Sequence, residues 1–167
     1  MTPAMPDRSL NIRLATPQDV PLMLRLIHAL AEFEREPEAV VATATDLHRD
    51  GFGPVPRFHC LIAEWQGEPA GFALYFLNYS TWRGHHGIRL EDLYVTPALR
   101  GKGIGKALLV RLAQIAVEQG CPRLEWDVLD WNAPAIAVYE RIGAHILTEW
   151  HIMRLSGEAL TALASSS

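Results

Sequence analysis

Three glycines alternate with cationic residues in one short loop of this 167-residue chain, at positions 100–106 (Arg-Gly-Lys-Gly-Ile-Gly-Lys). An apolar run at 90–95 precedes the loop, and apolar residues at helical spacing follow it from Ile104. Glycines let a backbone turn sharply and approach a ligand closely. A helix that opens behind them presents free N–H groups and the positive end of its dipole. The loop therefore predicts a pyrophosphate site.

Two familiar phosphate loops fit this stretch poorly. A Walker loop requires Ser or Thr after Gly-Lys, whereas Ala107 follows Gly105-Lys106. A dinucleotide-binding loop requires G-x-G-x-x-G, whereas the chain has glycine at every second position from Gly101. A plain strand-to-helix turn with surface lysines is the remaining structural alternative, and the alternation of three glycines with three cations disfavours it.

Adjacent carboxylates interrupt the apolar run before the loop. Glu91 and Asp92 stand in the middle of a predicted strand, and successive strand residues point to opposite faces. At least one carboxylate should face covered space, which is costly unless a cation or a donor meets it. Glu34, at the end of an apolar helical stripe, is a further candidate. A purely structural explanation stays open for each of these carboxylates. The strand pair could lie on an exposed sheet edge or form ion pairs with Arg89 or Arg100, and Glu34 could be a solvated residue at a helix end.

Composition sets the broad class. Hydrophobic residues make up 49% and charged residues 20% of the chain, which predicts one domain, 1–167, with flexible ends at 1–9 and 162–167. No apolar run approaches the roughly 20 residues of a membrane span, no signal peptide is expected, and the net charge of −4 predicts no nucleic-acid partner. Two cysteines, Cys60 and Cys121, favour a reducing, cytoplasmic location. We predict no metal site, since His85-His86 has no third ligand at metal spacing and should lie in a surface loop.

Periodicity predicts the order β-α-α-β-β-β-α-β-α-β. The strands are expected at 10–15, 58–65, 70–79, 87–95, 123–130 and 145–155. The helices are expected after Thr16, after Thr43 or Thr45, over 104–119 and after Asn132. The fourth and fifth strands should be parallel with a right-handed crossover, and the three strands before the crossover should form a meander. The predicted fold is a mixed α/β sheet with helices on both faces.

This order, with the loop pattern Arg100-x-x-Gly103-x-Gly105, resembles the GCN5-related N-acetyltransferase (GNAT) superfamily, which uses acetyl-CoA. Several strings look like its diamine (spermidine/spermine, thialysine) branch, namely those at 32–34, 50–53, 90–95, 130–135 and 139–144. The resemblance covers roughly residues 12–160.

The resemblance implies acetyl transfer from acetyl-CoA, by direct attack, to a primary amine of a small polyamine, diamine or thialysine-like amino acid, and a homodimer. It assigns Tyr139 as general acid for the departing thiolate and Glu91 as the carboxylate that handles the amine. The resemblance places Phe33 and Glu34 in the acceptor pocket beside Glu91. Asp92, the neighbour of Glu91, is a further acceptor-site candidate. Trp150 is a weaker one, because an aromatic face suits an alkylammonium, and core or dimer packing is its alternative. The implied coenzyme-binding residues are Leu93, Tyr94, Val95, Arg100, Gly101, Lys102, Gly103, Ile104, Gly105, Lys106, Asn132, Ala133, Pro134, Ala135 and Tyr139.

Two alternatives stay open. A broad, shallow groove would indicate an acetyltransferase for a protein or peptide amine, whereas a small acidic pocket would indicate a diamine acceptor. A protein that only senses coenzyme A would bind it without turnover.

Overall fold

The computed structural model describes residues 9–166. All of the predicted flexible N-terminal end except Ser9 lies outside this range. The chain divides into two compact units, the first ending at Asp127 and the second beginning at Val128. In residues 9–166, no helix combines the length and the apolar character that crossing a bilayer requires.

The first unit is built on a five-stranded sheet with the spatial order β1-β2-β3-β4-β5. Its strands are β1 (Leu10–Leu14), β2 (His59–Trp65), β3 (Glu68–Ser80), β4 (His85–Val95) and β5 (Leu124–Trp126). The first four strands pair antiparallel, and β4 pairs parallel with β5. The predicted mixed sheet, with a meander followed by a parallel pair, is confirmed.

The described part of this unit has three α-helices, namely α1 (Val20–Phe33), α2 (Ala44–Phe52) and α3 (Ile104–Glu118). Thr43, rather than Thr45, begins α2, because its hydroxyl accepts the backbone N–H of Asp46 at 3.2 Å and its own N–H donates to the Asp46 carboxylate at 2.9 Å. This reciprocal pair satisfies donors that a helix start otherwise leaves open. Helix α3 crosses from β4 to β5 and ends at a left-handed Gly120.

Helices cover the two faces of the sheet separately. One core cluster joins α1 and α2 to the sheet and contains Val20, Met23, Leu26, Leu30 and Leu47 together with Cys60, Ile62, Phe72, Leu74 and Tyr94. Buried strand residues outside this cluster include Leu61, Ala73, Tyr75, Ile88 and Leu90. Because strand residues alternate between faces, this second set lies on the opposite face, toward the buried stripe of α3.

The second unit contains α4 (Ala133–Arg141) and α5 (Gly157–Ala164). The predicted strand at 145–155 is wrong, because these residues form an irregular segment with a turn at 148–149. A strand requires a hydrogen-bonded partner, and the described part of the second unit contains no other strand to provide one. Helix α5, which the sequence did not predict, extends into the expected flexible C-terminal end.

Two further expectations about β-structure need correction. Strand β5 covers three residues rather than the eight at 123–130. His85 and His86 begin β4 instead of lying in a loop, and Cys121 provides a third potential metal ligand beside them. The ligand atoms of these three residues lie within 4.8 Å of one another, because the turn after α3 returns the chain to the start of β4.

Candidate active site

An irregularity in β4 lies at the predicted acidic pair. Leu74 pairs with Asp92 and the next residue, Tyr75, pairs with Leu90, so Glu91 is an extra residue in β4. Such a bulge changes which face the following side chains point to. Leu90 lies on the α3 face, whereas Asp92, opposite Leu74, lies on the face that α1 covers. Without the bulge, the two residues would share a face.

Three carboxylates interact on the α1 side of the sheet. Burial, followed by the negative charges of Glu91 and Glu34, raises the pKa of Asp92 to about 7. Partial burial and the negative charge of Glu91 raise the pKa of Glu34, at the end of α1. We refer to Glu34, Glu91 and Asp92 as the acidic cluster. Such a cluster attracts a cation, and its buried member can exchange a proton near neutral pH.

Arg100 connects the glycine loop to the end of α1. Its Nε donates to the carbonyl oxygen of Val95 at 3.0 Å. Its guanidinium carbon lies 4.8 Å from the ring centre of Phe33 and 5.4 Å from that of Tyr94, distances that allow cation–π attraction. Phe33 is the neighbour of Glu34 in the chain, so these contacts join the start of the loop to the acidic cluster.

The glycine loop has the backbone that its sequence predicts. Gly101 and Gly103 have φ angles of +80° and +78°, a region that side chains with a Cβ rarely adopt. Gly103 caps α3, and its carbonyl accepts the N–H of Ala107 at 3.0 Å. The Lys102 ammonium lies 5.5 Å from the ring centre of Trp65. The first-turn N–H groups of α3 have no partner within the helix, so they suit an anionic ligand.

An open cleft of about 390 Å³ borders this loop. It is lined by Ile12, Gly103, Lys106, Ala107, Val110, Arg111 and Gln114. Two of these side chains are cationic, those of Lys106 and Arg111, which stand about 1.4 turns apart on α3. The Arg111 guanidinium forms an ion pair with Glu118 at 3.2 Å. The cleft therefore extends from the loop along the first half of α3.

The second unit contains the remaining predicted site residues. The Asn132 carboxamide accepts the N–H of Ala135 at 3.4 Å and begins α4, in which Pro134 occupies the first turn. Tyr139 is half-buried on α4, and its carbonyl accepts the N–H of Ala144 at 3.0 Å. Trp150 follows a turn in the irregular segment and is exposed. Its contact with an acceptor stays a prediction, as do the assigned roles of Asn132, Ala133, Pro134, Ala135 and Tyr139.

The structure brings together in the first unit the acidic cluster, Phe33, Tyr94, Arg100 and the loop. Sequence reasoning found these residues but missed the bulge, and it ranked Glu91 above Asp92 as the carboxylate that performs chemistry. The adjacency of two acidic residues in an apolar strand was the available signal. It could not show which carboxylate is buried, because the pairing with β3 decides that.

This mixed sheet, with a glycine loop and a helix start after its fourth strand, can be compared with known proteins. Residues 23–144 match the Acetyltransferase (GNAT) family. The chain belongs to that family. Its members use acetyl-CoA as co-substrate, which confirms the resemblance, the fold class and the prediction of an acetyl-CoA-dependent amine N-acetyltransferase.

Individual proteins within the family are similar to this chain over most of its length. The chain is 44% identical over 164 residues to the thialysine N-epsilon-acetyltransferase of Bos taurus, covering 92% of this chain and 96% of the relative. It is 34% identical over 198 residues to L-ornithine N5-acetyltransferase NATA1 of Arabidopsis thaliana, covering 92% and 87% respectively. An integron cassette protein from the mobile metagenome of V. cholerae is similar in structure, with a TM-score of 0.78 and 28% identity over 95% of this chain and 99% of that one.

Proposed function

We propose that this N-acetyltransferase acts on the primary amine of a small diamine, polyamine or thialysine-like amino acid. The acidic cluster is the observation that carries this proposal. A free alkyl amine is protonated at neutral pH, since its pKa is near that of lysine, about 10.4. The acceptor must therefore arrive as a cation, and three interacting carboxylates beside the coenzyme loop suit it. The names of the relatives, which include lysine-like and ornithine acceptors, support the same class.

We assign proton removal from the ammonium to Asp92 rather than to Glu91, the carboxylate to which the family resemblance gives the handling of the amine. General bases work best with a pKa near the operating pH, and burial raises the pKa of Asp92 to about 7. Glu91 and Glu34 are placed to hold the ammonium by charge. After one proton leaves the ammonium for Asp92, the neutral nitrogen has the lone pair that attack requires.

The residues present fit acetyl-CoA, which supplies the activated acyl group when it binds. Arg100, Lys102 and Lys106, with the first-turn N–H groups of α3, form a donor set of the kind that holds a pyrophosphate. Strand β5 pairs with β4 at Ile88, Arg89 and Leu90 and ends short of residues 93–95. We infer that backbone groups of Leu93, Tyr94 and Val95 on that edge bind the pantetheine arm as an added strand would.

We assign to Tyr139 the donation of its phenolic proton to the departing thiolate. A thiol has a pKa near 8.5, so a proton donor accelerates its departure without being indispensable. This role rests on the family resemblance and on the position of Tyr139 in α4.

Thiol release from acetyl-CoA, measured with a panel of amines, tests the proposal. The panel contains thialysine, lysine, ornithine, spermidine, a lysine-containing peptide and a monoamine of matched length. We expect the highest kcat/KM among the small acceptors that carry a second charged group. A preference for the peptide would replace the proposal with a protein acetyltransferase, and binding of acetyl-CoA without release on any amine would replace it with a coenzyme sensor.

We also infer a cytoplasmic homodimer. Cys60 and Cys121 are both free thiols, which suits a reducing compartment. The irregular segment at 145–155 exposes Trp150, Ile152 and Met153, apolar side chains that a second copy could cover. Light scattering coupled to gel filtration should give twice the mass of the 18.6 kDa chain. A monomeric mass at working concentrations would overturn the dimer and leave the acceptor proposal unaffected.

A further inference from the structure

A cluster of metal-ligating side chains lies at the end of the first unit where α3 returns to β4. His85 and His86 begin β4, and Cys121 follows α3. Their ligand atoms lie within 4.8 Å of one another, and all three residues are half-buried. The acidic cluster begins five residues further along β4, so these groups are separate from the proposed acetyl-transfer chemistry.

We propose that His85, His86 and Cys121 bind a zinc-class divalent ion, which fastens the end of α3 to the start of β4. Imidazole nitrogen and thiolate sulfur are the ligands that Zn²⁺ prefers, and a water molecule would complete four-coordination. Binding forms two N–metal bonds and one S–metal bond, and the Cys121 proton leaves to solvent.

The backbone after α3 holds Cys121 in place. Gly120 has a φ of +71°, and its N–H donates to the carbonyl of Val117 at 3.1 Å. The N–H of Cys121 donates to the carbonyl of Ala116 at 2.8 Å. This pair of bonds is the helix-ending motif in which a left-handed glycine reverses the chain. The thiol therefore belongs to an ordered turn.

Hydrogen bonds also orient the two imidazoles. The Nδ1 of His85 donates to the carbonyl of His86 at 2.8 Å, which leaves the lone pair of its Nε2 for a metal. That Nε2 faces the turn, since a Cβ built on Gly120 would lie 3.6 Å from it. The Nε2 of His86 lies 3.2 Å from the carboxamide oxygen of Gln119, and the two rings stack with centres 4.4 Å apart.

The spacing requires only a small adjustment. With Zn–N bonds of about 2.0–2.1 Å and a Zn–S bond of about 2.3 Å, ligand atoms in a tetrahedral site lie roughly 3.3–3.7 Å apart. The present spread of at most 4.8 Å therefore has to close by about 1–1.5 Å. Rotation about side-chain bonds is sufficient for a movement of this size.

Co²⁺ titration of the full-length, tag-free protein tests the site directly. After chelator treatment, in a phosphine reductant that keeps thiols reduced, we expect one Co²⁺ per chain and a near-ultraviolet thiolate-to-cobalt band. Added Zn²⁺ should abolish the band. The band reports on Cys121, because Cys60, the other cysteine of the sequence, is buried with 4% of its surface exposed.

Three variants test whether the bound Co²⁺ lies at the proposed site. Cys121→Ser should abolish the band, and His86→Gln should weaken Co²⁺ binding on the order of 100-fold or more, since loss of a supporting partner alone costs 10–100-fold. His48→Gln removes an exposed imidazole on α2 and should leave binding unchanged. Circular dichroism and acetyl-CoA binding verify that each variant is folded. Absence of the band in the folded parent protein, or unchanged Co²⁺ affinity in Cys121→Ser, would overturn the metal site.

Discussion

Replacing Asp92 by Asn should stabilise the protein while impairing its activity. Asn has nearly the shape of Asp but carries no charge, so it removes the cost of a buried carboxylate near Glu91 and Glu34. The same substitution removes the group to which we assign proton removal. We therefore expect a fall in kcat/KM of about 10²–10⁴-fold, the usual contribution of a general base, together with a higher free energy of unfolding at neutral pH.

The size of the stabilisation follows from the pKa of Asp92. Its pKa rises from the ordinary 3.8 to about 7 in the folded protein, and about 1.36 kcal/mol per pKa unit gives a total of about 4 kcal/mol. Because the folded state holds this proton more tightly than the unfolded state, the parent protein loses stability as pH rises from about 4 to about 7. The loss levels off above that range. Burying the Asn amide offsets part of the gain, so about 2–4 kcal/mol is expected.

Urea unfolding of both proteins at about pH 5 and about pH 8 measures this difference. The advantage of the Asn variant should be larger at the higher pH. Asp130→Asn is the matched control, because Asp130 is exposed and lies outside the acidic cluster. If Asp92→Asn and the parent protein were equally stable at both pH values, burial and neighbouring charges would not raise the pKa of Asp92. The assignment of Asp92 as general base would then fail as well.

Three other substitutions test separate parts of the site. Glu91→Gln removes a negative charge that raises the pKa of Asp92 and Glu34, so the acidic limb of the pH profile of kcat/KM should move to lower pH, with a higher KM for the amine. Tyr139→Phe should lower kcat about 10²-fold, measured by thiol release, while the Kd of acetyl-CoA stays nearly constant. Gly103→Ala places a Cβ at a φ of +78°, which makes this left-handed backbone conformation less favourable by about 1–2 kcal/mol. The variant should therefore bind acetyl-CoA more weakly, as measured by calorimetry.

Each of these results has its own contradicting outcome. An unmoved pH profile in Glu91→Gln would mean that its charge does not act on Asp92. Unchanged kcat in Tyr139→Phe would remove the general-acid assignment. For Gly103→Ala, the control is Gly84→Ala, which has a comparable φ of +64° in the turn between β3 and β4. Equal loss of coenzyme affinity in both variants would indicate a general effect on folding rather than on the loop.

Local sequence signals predicted much of the fold. The predicted gap between the strands at 58–65 and 70–79 is a turn, as its glycine indicates, although the turn covers only Gln66 and Gly67, with φ angles of +53° and +84°. Thr43 and Asn132 begin helices because their side chains accept backbone N–H groups one turn ahead. These features depend on residues within a few positions of one another, so a sequence is sufficient to find them.

The strand predicted at 145–155 failed because alternating apolar residues indicate only that a strand could form. Whether one forms depends on a partner that supplies the hydrogen bonds, and the described residues of the second unit supply none. Strand β5 is short for the same reason, because β4 provides pairing partners for only three of its residues.

The sequence by itself determined the glycine loop with its left-handed conformations, the helix that follows and the membership of the chain in its family. These depend on contiguous residues and on backbone preferences that each residue type carries with it. Only the tertiary structure decided that Asp92 is half-buried while Glu91 is exposed, through a one-residue bulge against β3. It likewise brought Cys121 to His85 and His86 across more than 30 positions of sequence. The pairing register and the end of a helix are set by distant parts of the chain, so no local pattern contains them.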